Sequence, residues 1–367
     1  MRIGLVVPGF SADASDWCIP ALRHLARGLA SRDDVRVVAV RYPYRAARYA
    51  VDASEVIALG GELSHGARTL ELWRAALRVL RAEHRRRPFD VLHAFWATES
   101  GLLATLAGRL LGVPTLVSLA GGELVALRDI SYGDQRLAGE RLKIAVSLRL
   151  ATQVSAGSDL LRRRAERHLH RRRRVHFAPL GVDLALFGPR PTAAARRQRV
   201  VHVGTLTRVK DQATLLRAFS QVHRQLPDAC LEIVGDGPMA AELRRLASAL
   251  DVESIVRFRG EIDHAALPAV YRGASASVVS SRHEAQCMVA LEAAACGVPL
   301  VGTRVGVLPE LTDAVAPIGD HQALAQAIVA TLCPSSPKRA TPDISTVFGL
   351  EPCADRFRAL YTNSGSR

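Results

Sequence analysis

Two carboxylates, Glu284 and Glu292, stand eight positions apart in the stretch SSRHEAQCMVALEAAACGVPLVGT, from Ser280 to Thr303. Carboxylates accept hydrogen bonds from hydroxyl donors such as those of ribose and of sugars. The apolar run around the second one (Met288, Val289, Leu291, Ala294, Ala295) has helical spacing, and Gly297 followed by Pro299 stops it. Glu292 therefore falls on a short helix that begins near Gln286, and Glu284 on the loop before it. A helix start presents unpaired N–H groups and the positive end of a macrodipole, which favour a bound phosphate or carboxylate. Arg208 and Lys210, in TLTRVKD, add a guanidinium and an ammonium; together with backbone N–H groups they suit a diphosphate. The combined chemistry is that of a site for a phosphorylated, hydroxyl-rich ligand. The plain alternatives are surface charge for Arg208 and Lys210 and a helix-surface carboxylate for Glu292.

The elements that must position these groups alternate along the chain. MRIGLVV, VRVVAV, FDVLHAF, PTLVSLAGGEL, ATQVSAGS and VHFAPLGVD read as strands of the first half, with helices at 19–30, 67–84, 101–111 and 141–150 between them. VVHVG, CLEIVGDGP, IVRFRG, ASVVSS and VPLVGT repeat the pattern in the second half, with helices at 212–226, 239–250 and 267–272. Nearly continuous apolar strands alternating with helices imply an α/β fold of parallel sheets covered on both faces. Between about 183 and 199 the composition shifts to Pro, Ala and Arg, which marks a linker. The domains are expected at 1–183 and 184–349, with a C-terminal helix at about 350–363 that can pack back onto the first. Beyond Cys333 the chain loosens into CPSSPKRATPD before that helix.

With 367 residues, 49% of them apolar and 23% charged, the chain is long enough for two cored domains and unlike a disordered one. No apolar run reaches the ~18 residues of a membrane span, and the N-terminal run stops at Pro8-Gly9. The six cysteines show neither metal-ligand nor disulfide spacing, as in a reducing compartment. A cytoplasmic location is expected. Only three of the 49 basic residues are lysines, and the net charge is +14. The arginine runs at 85–87, 162–164 and 171–174 fit a solvated face or an anionic membrane surface, which would make the protein peripheral at the inner membrane face. Without interleaved aromatics or a binding motif they do not point to nucleic acid.

In the first half, strand ends again nominate candidates. Asp16 and Trp17 follow the first strand and can line a ligand cleft, or Asp16 can cap the next helix. His93 is either a satisfied core histidine or a cleft residue. Gly121 and Gly122, followed by Glu123, either let the backbone approach a ligand or simply turn the chain.

At this point the residues resemble a known family. EAQCMVALEAAACGVPLVGTRVGVLPEL is similar to the E-x7-E segment of the retaining, GT-B-fold glycosyltransferases of family 4, and VHVGTLTRVKDQATLLRAF to that family's phosphate-binding strand, loop and helix. FDVLHAF, LLGVPTLVSLAGGEL, VSAGSDLL, PLGVDLALF, VGDGP and VRFRGEI follow in the family's order, so the resemblance covers nearly the whole chain. It implies two Rossmann-like domains facing each other across a cleft, the first binding the acceptor and the second the nucleotide sugar. It implies transfer of a sugar from a nucleoside diphosphate to an acceptor hydroxyl with retention. Glu284 would meet the donor sugar and act at the reacting centre, and Glu292 would hold the ribose. Arg208, Lys210 and the backbone at Cys287 and Met288 would hold the diphosphate, and the loop Arg259, Gly260, Glu261, Ile262 would lie beside the base. No cofactor and no metal are implied: basic residues and the helix dipole would balance the leaving diphosphate.

Three positions depart from the family pattern: Thr205 replaces the usual arginine, Ala120-Gly121 the usual His-Gly pair, and Ala285-Gln286-Cys287 the common Gly-Phe-Gly. They touch sugar contacts more than phosphate and ribose contacts. A nucleotide-binding protein of the same shape without transferase activity is the alternative of a different class; a nucleotide-sugar epimerase on the same fold is a third. The acceptor (glycan, lipid-linked or small molecule) is not readable from the sequence.

Overall fold

A computed structural model describes residues 1–62, 66–189, 198–333 and 342–364. The chain divides into two compact units, Met1–Gly181 together with the last helix, and Val182–Gly349. Most of the expected linker, 190–197, and most of the loosened stretch after Cys333, with Lys338, lie outside the described residues.

The first unit is built in the order β1 (Arg2–Gly9), α1 (Pro20–Ala30), β2 (Asp34–Tyr42), β3 (Ala46–Val51), β4 (Ser54–Leu59), α2 (Ala67–Arg86), β5 (Val91–Phe95), α3 (Glu99–Leu111), β6 (Thr115–Leu119), α4 (Ala138–Leu150), β7 (Gln153–Ala156), α5 (Asp159–His168) and β8 (Val175–Phe177). The sheet runs β3-β4-β2-β1-β5-β6-β7-β8, parallel except where β3 meets β4. Side chains alternate across β1: Ile3, Leu5 and Val7 join the cluster formed with α1, while Val6 joins Leu72, Ala76, Leu80 and Leu103 of α2 and α3 on the other face. Both faces are covered, which is why the strand reads as an unbroken apolar run. The β3–β4 hairpin was not foreseen, because its turn at Asp52 (φ 52°) lacks the Asn-Gly or Asp-Gly signature and its strands are short and mixed.

The second unit contains α6 (Leu184–Phe187), β9 (Arg199–Val203), α7 (Gln212–Gln225), β10 (Cys230–Val234), α8 (Ala240–Ala249), β11 (Val256–Gly260), α9 (Leu267–Arg272), β12 (Ala276–Val279), α10 (Met288–Ala295), β13 (Leu300–Thr303), α11 (Leu308–Leu311), β14 (Val315–Ala316), α12 (His321–Leu332) and α13 (Ser345–Phe348). Its sheet, β11-β10-β9-β12-β13-β14, is parallel throughout. Leu215, Leu216, Phe219 and Val222 of α7, Leu243 of α8 and Leu324 and Ile328 of α12 close one core over it.

The last helix, α14 (Leu350–Ser364), belongs to the first unit: Ala354, Phe357, Leu360 and Tyr361 enter its core, and Arg358 clasps Asp33 at 2.7 Å. His93 is completed by this helix. It is fully buried in β5, with Nδ1 at 2.7 Å from the Tyr361 hydroxyl and Nε2 at 2.8 Å from Ser118 Oγ. A cleft position for His93 is thereby corrected: it is a core histidine whose ring nitrogens are both occupied. Burial pushes its pKa down to about 3. The folded form stays neutral while the unfolded chain takes up a proton below about 6.5, so the stability present above that pH is lost as pH falls toward 3. We expect urea midpoints to decline through this window with a contribution of up to about 1.4 kcal/mol per pH unit, and a His93→Gln variant, measured at the same pH values, to decline less steeply.

Candidate functional site

In the second unit the strand order reverses direction between β9 and β12, so the loops leaving these two strands meet at the carboxyl edge of the sheet. Backbone and side-chain bonds lock them together. Arg282 N donates to Val209 O at 2.8 Å, and Ser280 Oγ donates to Lys210 O at 2.8 Å. The closing contact is an ion pair, Lys210 Nζ to Glu284 Oε1, at 2.6 Å, and Ser281 Oγ donates to the same oxygen at 2.6 Å. Glu284 is half-buried, and its Oε2 has no partner among the described residues, which leaves it able to accept from a ligand hydroxyl.

Beneath this pair, His202 fixes the β9 loop. Its Nδ1 lies 3.0 Å from Val278 O and must donate to it, so Nε2 accepts from Gln212 Nε2 at 3.2 Å. Burial, seconded by the Lys210 charge, pushes this imidazole down to about 4, so it is neutral in the fold. Gln212 also donates to Thr205 O at 3.1 Å, and Asp211, with φ 50°, caps α7. Arg208 projects from the same loop as an exposed side chain with no partner among the described residues.

The helix α10 starts at Met288, two residues later than expected. Its N-cap, Cys287, is buried and carries φ 81°, a left-handed conformation that side chains tolerate poorly. The backbone is forced there because Val307 N donates to Gln286 O at 2.9 Å and Gly306 packs directly against that carbonyl. Burial raises the Cys287 thiol far above its ordinary value, so it stays protonated. The first amides of α10, with half-buried Met288, lack intrahelical acceptors by construction of a helix start.

Glu292 lies a turn along α10 and is buried. Its Oε2 accepts from the Tyr271 hydroxyl at 3.1 Å, and its Oε1 lies 3.3 Å from His264 Nε2. Tyr271 and His264 were not foreseen. Tyr271 sits in a short apolar helix that reads as core, and His264 follows the β11 loop with no spacing that ties it to Glu292. Through His264 the loop with Glu261 and Ile262, which follows Gly260 at the end of β11, is brought to Glu292. Arg259 is corrected: it lies within β11, and its guanidinium is taken by Glu232, which also holds Arg199 at 2.9 Å. It serves the sheet face rather than the loop.

In the first unit, Asp16 does not cap α1, whose N-cap is Ile19 with Pro20 in the first turn. Its Oδ2 instead accepts from Ala12 N at 2.7 Å and from the Tyr42 hydroxyl at 2.9 Å, tying the β1 loop to the end of β2. Trp17 lies under the Arg23 guanidinium, 4.3 Å from its ring centre. Gly121 and Gly122 are half-buried at the end of β6. Glu123 is fully buried and is corrected from ligand contact to a loop staple: its carboxylate accepts from Ala120 N at 3.1 Å and Gly121 N at 2.7 Å, and burial raises its pKa.

With this geometry in place, similarity to known proteins is informative. Residues 197–333 match the family model described as glycosyl transferases group 1, and residues 19–181 match the glycosyl transferase 4-like domain. The chain belongs to glycosyltransferase family 4. It is 33% identical over 256 residues to a D-inositol 3-phosphate glycosyltransferase of Actinosynnema mirum, covering 63% of this chain and 60% of that protein. It is 38% identical over 152 residues to a GDP-mannose-dependent alpha-(1-6)-phosphatidylinositol monomannoside mannosyltransferase of Mycolicibacterium smegmatis, covering 37% of this chain and 40% of the relative. In both cases it spans less than two thirds of the relative's length. Among solved structures, a sucrose-phosphate synthase from Thermosynechococcus elongatus superimposes with a TM-score of 0.72 at 21% identity, covering 99% of this chain and 98% of the other. The two parallel-sheet α/β units are those of the GT-B fold.

Residue 287 in this family member offers a direct test of local strain. A Cys287→Gly variant should fold at least as well as the parent, because glycine adopts positive φ without a Cβ penalty. Cys287→Val should lose about 1–3 kcal/mol, since a β-branched side chain is the worst choice for that conformation. Thermal unfolding of the two variants checks both; equal midpoints would contradict the strain at this helix start.

Proposed function

We propose that the protein transfers a glycosyl group from a nucleoside diphosphate sugar to an acceptor hydroxyl with retention of configuration. The observation that carries this reading is the Lys210–Glu284 pair, set between the strand ends of the switch point and ahead of the α10 start. A cation beside a carboxylate with an unspent oxygen offers one group to a diphosphate and one to a sugar hydroxyl. The bond from the anomeric carbon to the diphosphate oxygen breaks with its electron pair on the diphosphate. Lys210, Arg208 and the α10 amides at Cys287 and Met288 stabilise that charge. The acceptor oxygen attacks from the same face, and its proton passes to the departing phosphate oxygen. Glu284 orients the sugar and Glu292, held by Tyr271 and His264, takes the ribose hydroxyls; no protein nucleophile and no metal are assigned. The relatives' names favour an inositol-derived acceptor. Nothing in the site favours a binding-only protein or an epimerase.

Incubation with a panel of nucleotide sugars and inositol phosphates, monitored for nucleoside diphosphate release, tests the reading. A donor at 100 times its dissociation constant should stabilise the protein by about 2.7 kcal/mol. Glu292→Gln should weaken nucleotide binding roughly tenfold or more while leaving the fold intact, because a hydrogen bond to a charged group contributes about 1.5–3 kcal/mol. Lys210→Gln should cut turnover more than it weakens substrate binding, since charge grows on the diphosphate only as the bond breaks. Absence of binding by every donor, with Glu292→Gln indistinguishable from the parent, would sink the assignment.

We also propose that the first unit rests on anionic membrane. Arg78, Arg81 and Arg85 of α2 line a groove of about 450 Å³ with Leu77 of the same helix and Leu110 and Leu111 of α3, and Leu110 is 74% exposed. No helix among the described residues is long and apolar enough to cross a membrane, so attachment would be at the surface. The protein should pellet with phosphatidylserine vesicles at low salt and be released as salt is raised; failure to pellet at low salt rejects this partner.

A further inference from the structure

In the first unit the order of strands reverses between β1 and β5, so the crevice at the carboxyl ends of these neighbours is a switch point in its own right. Trp96 is the residue that leaves β5 there. Its φ is 66°, a conformation that costs a bulky residue about 1–3 kcal/mol and that tends to persist at ligand sites. Two backbone bonds impose it: Trp96 N donates to Ser118 O at 2.9 Å, and Gly101 N donates to Trp96 O at 3.0 Å. The indole lies along Gly121, where any Cβ would come within 2.6 Å of Nε1. Glu123 freezes that loop from behind by holding the Ala120 and Gly121 amides, and Ala120 adds only a methyl beside them.

The indole is half-buried, yet its N–H has no acceptor among the described residues, whereas the Trp73 N–H donates to Glu99 at 2.6 Å. A half-buried tryptophan normally finds such a partner. On the β1 side, Ser11 is buried with its hydroxyl also unpartnered. A strained backbone, a glycine cleared for the ring and an unspent donor coincide at one strand end that the mechanism above does not use.

We propose that Trp96 is the platform of an acceptor subsite for a six-membered polyol ring, a sugar or cyclitol. The ring's C–H face stacks on the indole, and one of its hydroxyls accepts from Nε1–H. An acyl chain would leave that donor unsatisfied, and an open-chain polyol lacks a flat C–H face. This deepens the transferase reading by specifying the acceptor's shape, but binding of the ring can be measured without turnover.

The test uses the full chain labelled with 5-fluorotryptophan, whose three tryptophans, Trp17, Trp73 and Trp96, give three fluorine NMR signals; Trp96→Phe identifies the third. Titration with methyl α-D-glucopyranoside and with myo-inositol, with and without UDP or GDP, should shift the Trp96 signal saturably and leave the other two in place. Sorbitol, the open-chain control, should not shift it. Trp96→Ala should weaken the cyclic ligand roughly tenfold, while Trp96→Phe retains part of the affinity. Trp96→Gly, which suits the positive φ, should also lose ring binding, separating recognition from folding. A Trp96 signal that stays still, or that moves equally with sorbitol, overturns the subsite. Thermal shift with UDP and GDP reports on the nucleotide side separately. Stabilisation by a nucleotide with a silent Trp96 defeats this inference alone, whereas no nucleotide response with a Trp96 that binds rings defeats the donor reading and leaves the subsite standing.

Discussion

The 2.6 Å contact between Lys210 and Glu284 joins two segments that are 74 residues apart in sequence and that also meet where Arg282 N donates to Val209 O and Ser280 Oγ to Lys210 O. It exists because β9 and β12 are neighbours whose chains depart in opposite directions, a property of strand order rather than of either loop. Parallel topology therefore sets the site before any side chain does. The backbone bonds between the loops hold the pair at a fixed separation, and neutral His202 beneath it adds no competing positive charge. An ion pair in this half-buried setting is no large source of stability. What the pair does provide is a cation that is already oriented, and such a cation needs little reorganisation if charge develops nearby.

Most of this frame was legible in the sequence. Buried parallel strands leave apolar runs, and the stop signals Gly297 and Pro299 delimit α10 closely enough to place Glu284 on a loop and Glu292 on a helix. The failures have common physical causes. The β3–β4 hairpin turns on Asp52 without a strong turn dipeptide, so periodicity had no punctuation to work with. His93, Tyr271 and His264 depend on partners 268, 21 and 28 positions away, and no local pattern encodes such distances. His93 in particular has its role fixed by Tyr361, on a helix that returns from the other end of the chain. Arg259 falls in IVRFRG, which reads as a strand, and only the resemblance placed it in the loop beside the base; its direction across the pleat, toward Glu232, is invisible until register is known.

Buried charge is handled by the same means in both units. Glu123 accepts from the backbone amides of Ala97, Ala120 and Gly121 in place of water, Glu232 is held by two arginines, and Glu292 is met by a phenol and an imidazole. Each removes a desolvation cost that an isolated carboxylate would incur. Only the last has its carboxylate on the helix that begins at the switch point.

Backbone strain follows a parallel logic. Trp96, Asp211 and Cys287 are non-glycine residues with positive φ, and each follows a strand that borders a switch point, β5, β9 and β12 respectively. Glycine at any of them would relieve the strain. A side chain there is retained at a cost of about 1–3 kcal/mol, which is sustainable only because neighbouring hydrogen bonds over-determine the backbone. Asp211 spends its side chain capping α7 and Cys287 buries its thiol. Trp96 alone of the three ends in an unspent polar group. The strain at 211 and 287 is thus accounted for by the helices they start, and at 96 it is left to be accounted for by what the indole faces.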